Sequence, residues 1–187
     1  MELRMSIAEQ ALFKSFLTCA KSYLEFGAGG STVLASKTVC GPVCTIESNQ
    51  EWIDNVQFFL QPADFERTFI FADVGPTGDW GTPINNHGQV NYFNYHTNVW
   101  EKITHTYDLF LVDGRFRVAC FCQCLLRSSP SSIIGVHDYR SRRGYQVIEG
   151  IAEPIAEVQD LTFFRRAHNV SSADVSSLLV RYSLNVA

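Results

Sequence analysis

Glu25-Phe26-Gly27-Ala28-Gly29-Gly30-Ser31-Thr32 is a glycine turn that leaves the short apolar run Tyr23-Leu24-Glu25-Phe26 and opens a helical segment over 31–39. Glycines let a backbone approach a ligand closely, and the start of a helix offers free N–H groups to it. A second apolar run, Val43-Cys44-Thr45-Ile46, follows, so the order reads strand, turn, helix, strand. Glu47 closes that run twenty positions after Gly27, where an acid can take both hydroxyls of a ribose. A dinucleotide fingerprint would place glycine at Thr32 for close helix packing and an apolar residue at Glu25. Both departures argue against a nicotinamide ligand.

The same rhythm continues outward. Ser6 with Glu9 and Ser48 with Glu51 form two Ser-x-x-Glu capping boxes, each marking a helix start. Apolar runs at 68–72, 107–112 and 132–136 read as strands, with a helix over 117–127 between the last two. Strands alternating with helices predict a parallel sheet covered on both faces. Beyond Pro154 the runs 161–165 and 177–182 read as two late strands that close one sheet edge as an antiparallel hairpin. The stretch 75–106, rich in Gly, Pro, Asn and aromatics, breaks the rhythm and reads as a lid or acceptor loop in a single domain over 1–187. Its aromatics Trp80, Tyr92, Phe93, Tyr95 and Trp100 suit an acceptor pocket or a satellite core, and they leave a homodimer contact open.

Composition narrows the function class. With 187 residues the chain builds one full core, and a net charge of −4 gives no electrostatic grip on a nucleic-acid backbone, so a small-molecule substrate is expected. Charges at Glu2, Arg4, Glu9 and Lys14 exclude a signal peptide or membrane span at the start, and a cytoplasmic protein is expected. Cys120, Cys122 and Cys124 alternate inside an apolar run without the pair spacing of a zinc site, and read as core residues. His87, His96 and His105 show no ligand spacing.

The run Glu25 to Gly30 resembles motif I of the class I S-adenosylmethionine-dependent methyltransferases, written acidic-x-Gly-x-Gly, and Glu47 falls where that family holds the ribose. Two later segments resemble the branch with Asp-Gly after strand four and His-Asp-Tyr after strand five: Leu111-Val112-Asp113-Gly114 and Val136-His137-Asp138-Tyr139. The resemblance covers roughly 20–140. It implies a Rossmann-like three-layer α/β sandwich with a mostly parallel seven-stranded sheet and a C-terminal antiparallel hairpin. It further implies S-adenosylmethionine held by Glu25, Gly27, Ala28, Gly29, Ser31, Thr32, Glu47 and Ser48, with Asp73 near the adenine, Val74 packed on the base and Asp113 near the methyl group.

For chemistry the resemblance points to Asp113, His137 and Asp138, with His137 the base for an oxygen acceptor. The related branch often carries a histidine two places after its Asp-Gly, where this chain has Phe116, so that base is not carried over. Catechol-type members bind a divalent ion between acids after strands four and five, which Asp113 and Asp138 could imitate. Tyr139 stands where they add an amide ligand, so a metal is not favoured. Arg140, Arg142 and Arg143 crowd the end of strand five and suit either an acidic acceptor or a solvated turn. Two rival readings remain: a cofactor-binding protein without turnover, and a nicotinamide-dependent reductase on the same sheet.

Overall fold

The structure is a computed structural model, and it describes all residues except the side chains of Asn86 and His87. Seven strands form one sheet: β1 (Tyr23–Phe26), β2 (Val43–Glu47), β3 (Arg67–Phe71), β4 (Leu109–Val112), β5 (Ile133–Val136), β6 (Ala152–Val158) and β7 (Leu161–Arg166). Their order across the sheet is β3-β2-β1-β4-β5-β7-β6. The first five run parallel, and β7 is antiparallel to both β5 and β6. β1, β2 and β4 are buried along their whole length, as strands covered on both faces must be.

The chain steps outward from β1 to β3 and then returns to β4, so the switch in strand order lies between β1 and β4. Ligands in open parallel sheets sit beyond the carboxyl ends at such a switch. Register brings the key loops together there: Phe26 pairs with Val112, Gly27 N–H donates to Ile46 O, and His137 N–H donates to Val112 O.

Helices α1 (Ile7–Cys19), α2 (Gly30–Thr38) and α3 (Gln50–Phe58) precede the short α4 (Phe93–His96), then α5 (Arg117–Arg127) and α6 (Ser172–Tyr182). α1 starts at the capping box read from the sequence, Ser6 with Glu9, and buries Phe13 and Leu17 one helical turn apart. α5 is buried on nearly every side because α6 packs over its outer face, which is why Cys120, Cys122 and Cys124 all sit in the core as free thiols. No helix among the described residues is long and apolar enough to cross a membrane.

Three sequence readings are corrected. The hairpin exists, but its strands are β6 and β7, while 177–182 lies inside α6. Ser171 and Asp174 form a capping box that starts this helix. Pro154 sits on the edge strand β6, at a bulge, where no partner needs its missing N–H. α3 is capped not by Ser48 but by Asn49, whose side chain accepts from Trp52 N–H at 2.9 Å.

The third correction concerns 75–106. Parallel strands need a crossover over one face of the sheet, and most of this stretch supplies the one from β3 to β4. Tyr92, Tyr95 and Val99 are buried in the main core against Phe26 and Phe116. The arm around Trp80, itself 66% exposed, lies at the rim.

Candidate functional site

The glycine turn is interlocked with the turn after β4. Gly27 has φ +101°, and a Cβ there would lie 2.8 Å from Gly114 N; a Cβ at Gly114 would in turn lie 2.0 Å from Tyr95 Oη and 3.0 Å from Gly27 N. Two strand ends thus touch backbone to backbone, which only glycine allows. A Cβ at Gly29, by contrast, would meet nothing within 4 Å. Gly27→Ala is expected to cost about 2 kcal/mol, from the left-handed backbone and the displaced neighbour. In a thermal melt that is a fall of about 4–8 °C; an unchanged melting temperature would show that the two turns are not locked.

Glu25 lies beneath this turn, fully buried, and faces protein on all sides. Its carboxylate accepts from Tyr23 Oη at 2.9 Å, Ser31 Oγ at 2.7 Å and Thr45 Oγ1 at 3.0 Å. Burial pushes the Glu25 carboxyl up to about 7, against the hydrogen bonds of Thr32, Ser31, Tyr23 and Thr45, which act to lower it. Thr32 Oγ1 also accepts from Gly29 N–H at 2.9 Å. The structure therefore gives Glu25, Ser31 and Thr32 the task of shaping the turn from below.

Glu47 reaches across from the end of β2. Its Oε2 accepts from Ala28 N–H at 2.9 Å, and its Oε1 accepts from Ser48 N–H at 2.6 Å, Ser48 Oγ at 3.2 Å and Asn49 N–H at 3.1 Å. Oε2 has a single protein donor and so keeps a lone pair. The Trp80 arm closes over this spot, since a Cβ at Gly81 would come within 2.7 Å of Ser48 Oγ. Arg4 lies 4.6 Å from the Trp80 ring centroid and ties the N-terminal segment to that arm. At the end of β3, Asp73 is exposed and accepts from Gly75 N–H, while Val74 is spent in the main core.

The turns after β4 and β5 bring Asp113, His137 and Asp138 together. His137 Nδ1 is 3.1 Å from Asp113 Oδ1 and 3.7 Å from Asp138 Oδ1, and its Nε2 is 3.8 Å from Glu9 Oε1 on α1. Burial alone would lower the His137 pKa, but the Asp113 hydrogen bond and the charges of Asp113, Asp138 and Glu9 outweigh it and hold the pKa above the ordinary value. Between the two aspartates lies Arg117, only 3% exposed. It pairs with Asp138 at 2.8 Å and Asp113 at 3.2 Å, and donates to the carbonyls of Asp113, Gly114 and His137. Burial would raise the Asp138 pKa, but Arg117, His137 and Arg142 hold it below the usual carboxylate range.

Asp113, His137 and Asp138 can each turn one ligand atom to within 4.8 Å of the others, a spacing that would suit a metal ion. The residues present do not fit one well. The Arg117 guanidinium already takes the neutralising position between the two carboxylates.

Other sequence candidates fall outside this cluster. His96 is buried, with its Nε2 3.0 Å from Ser183 O and its Nδ1 2.8 Å from Thr97 Oγ1, and His105 pairs with Glu66 at the surface. The His87 side chain lies outside the described residues. Arg140 is spent on Glu149 and Glu157, Arg142 reaches Asp138 at 3.5 Å, and Arg143 is exposed.

No protein-family model matches the chain, and no curated protein matches it. Among solved structures, a methyltransferase-like protein from Silicibacter pomeroyi is 28% identical, with a TM-score of 0.86 over 98% of this chain and 97% of its own. The chain has the class I methyltransferase fold. A candidate O-methyltransferase from Klebsiella pneumoniae is similar at 15% identity and a TM-score of 0.54, over 89% of this chain and 83% of its own. A candidate RNA methyltransferase from Pyrococcus horikoshii is similar at 13% identity and a TM-score of 0.53, over 88% and 84%. These two share the fold alone, and a fold by itself does not choose the acceptor.

Sequence reasoning missed Arg117 and Glu9 as members of the cluster. Glu9 carried a complete capping signal, which hid its second contact at 2.9 Å to Asp160 N–H. Arg117 did leave a trace: a cation in the first turn of a helix opposes the helix dipole and needs a local anion, here Asp113 four residues earlier.

Proposed function

We propose that the protein is an S-adenosylmethionine-dependent methyltransferase that acts on an oxygen of a small molecule. The observation that carries this reading is Glu47 reaching from the end of β2 to Ala28 N–H, beside a turn with no side chain at Gly27 or Gly29. A ribose hydroxyl can donate to the free lone pair of Glu47 Oε2. Gly29, open on its Cβ side, admits the amino-acid portion, while Ser48 and Asp73 border the adenine side and Glu25, Ser31 and Thr32 hold the turn in shape. When bound, S-adenosylmethionine supplies a methyl carbon on a positively charged sulfur. Asp113 places a negative carboxylate beside Gly27, and His137 takes the proton from the acceptor hydroxyl.

The His137 pKa is held up by its carboxylate neighbours, so the histidine is free to accept a proton only at the alkaline side of its ordinary value of 6.5. Turnover is therefore expected to rise with pH through a midpoint above that value. His137→Gln is expected to lower kcat by about 100-fold or more while the affinity for S-adenosylhomocysteine stays within about threefold, and a chelator should leave turnover unchanged because Arg117 supplies the local positive charge.

Calorimetric titration with S-adenosylmethionine and S-adenosylhomocysteine, with NADH as control, tests the cofactor. Micromolar binding of the sulfur ligands alone supports the reading, and binding of NADH alone, or of none with the protein folded, removes it. Binding with no turnover on any hydroxyl acceptor would instead mark a cofactor-binding protein without catalysis.

A further inference from the structure

Next to the Asp113–His137 edge lies a second group of polar side chains that the proposed chemistry does not use. Arg115 follows Gly114, and its backbone N–H faces the Tyr95 hydroxyl. Its side chain is half-buried, its Nε is shut off from solvent with no hydrogen-bond partner, and it makes no ion pair among the described residues. Tyr145 is 3% exposed, and its hydroxyl is likewise buried without a partner. The guanidiniums of Arg117 and Arg142 lie 5.6 and 5.9 Å from the Tyr145 ring centroid.

Two of the three arginines have carboxylate partners here. Arg117 pairs with Asp113 and Asp138, and Arg142 pairs with Asp138. Three guanidiniums thus face two carboxylates, leaving one positive charge, on Arg115, without an answer. His137 and Glu9 lie 3.8 Å apart, and neither pairs with Arg115 among the described residues. Burial and the charges of Arg117 and Arg142 press the Arg115 pKa below its usual value, against the phenols of Tyr95 and Tyr145. A half-buried cation and a buried hydroxyl left unpaired are both costly, and a fold retains them where a ligand satisfies them.

We infer that Arg115, with Tyr145 and Arg142, forms a subsite for a carboxylate group on the methyl acceptor. A guanidinium without a carboxylate partner presents the planar fork that a carboxylate fits, and the Tyr145 hydroxyl can donate to the same group. The word acceptor rests on the methyltransferase reading; the anion site itself does not.

The test uses thermal melts of the whole protein with acetate, benzoate, benzamide and phenyl phosphate, against chloride at matched ionic strength, with and without S-adenosylhomocysteine. Acetate or benzoate should raise the melting temperature beyond chloride, with benzamide at least tenfold weaker than benzoate. Arg115→Met should lower benzoate affinity at least tenfold, leave S-adenosylhomocysteine affinity unchanged, and melt no lower than the parent without anions, because it removes an unpaired cation and keeps the packing. A clear fall in that melting temperature would make Arg115 a structural residue and overturn the proposal. So would equal protection of parent and variant, or no protection by either carboxylate. Stronger Arg115-dependent protection by phenyl phosphate would overturn the carboxylate assignment. If benzoate protects through Arg115 while S-adenosylhomocysteine does not bind, the anion site stands and the cofactor reading falls.

Discussion

Arg117→Met is expected to lower folding stability by about 3–5 kcal/mol, the usual cost of leaving buried charge without its partner. The guanidinium, more deeply buried than His137, pairs with both Asp113 and Asp138, and it also satisfies three carbonyls from the turns after β4 and β5. Methionine keeps the stem volume and removes every one of those bonds. Urea unfolding of the parent, Arg117→Met, and the triple variant that adds Asp113→Asn and Asp138→Asn gives the decisive comparison, because neutralising both acids should recover much of the loss. The sign with pH follows from Asp138, whose folded pKa is depressed: its contribution is present above the unfolded carboxylate value and is lost as pH falls through the folded one. The penalty of Arg117→Met should therefore shrink on acidification. The ligand atoms of Asp113, His137 and Asp138 lie within 4.8 Å of one another, so with the guanidinium gone the variant should gain melting temperature from Mn²⁺ where the parent gains none. A loss below about 1 kcal/mol, in the range of an exposed ion pair, would mean that water and not Arg117 neutralises the aspartates.

The parts of this molecule legible in the sequence are those fixed by local chemistry. β1, its glycine turn, α2 and β2 follow each other within a span where the periods of strand and helix and the φ demands of glycine act on adjacent residues. Asp113 and His137 were singled out through the resemblance of their segments to the Asp-Gly and His-Asp-Tyr motifs, and the parallel register of β4 with β5 sets both just beyond the carboxyl ends of neighbouring strands. The failures are equally physical. Residues 177–182 hold a short apolar run, Leu178-Leu179-Val180, that reads as a strand, whereas α6 buries Val175 and Leu178 with Leu179 and Tyr182 packed partly on the core; the decisive signal was the Ser171-x-x-Asp174 cap, with aspartate in place of glutamate. The crossover over 75–106 read as a free loop because it is built of 3-10 turns and one four-residue helix, which leave no long period to detect. Arg115, Arg117 and Tyr145 meet only through tertiary structure, so their shared charge problem has no sequence pattern.

Glu25→Gln is expected to stabilise the protein at neutral and alkaline pH by about 3 kcal/mol relative to its effect in acid. Glu25 is fully buried, and its carboxyl is pushed from 4.5 up to about 7. Between those values the folded protein keeps a proton that the unfolded chain has released. Stability from this group is therefore complete below the unfolded pKa and lost as pH rises through the folded one. Glutamine cannot ionise, and the Tyr23, Ser31 and Thr45 hydroxyls can rotate to accept from its amide. The parent's own pH profile hides this slope. Burial lowers the His96 pKa from 6.5 to about 4, despite its bond to Ser183, so His96 removes stability as pH falls across much of the same window. The two slopes oppose each other, and the parent curve should be nearly flat there. In Glu25→Gln the histidine slope stands alone, so the variant should lose stability steadily on acidification, and its advantage over the parent should disappear near pH 4.5. A difference between variant and parent that is constant from pH 4.5 to 8 would show instead that the three hydroxyls hold Glu25 ionised throughout, with its burial fully compensated by the turn it supports.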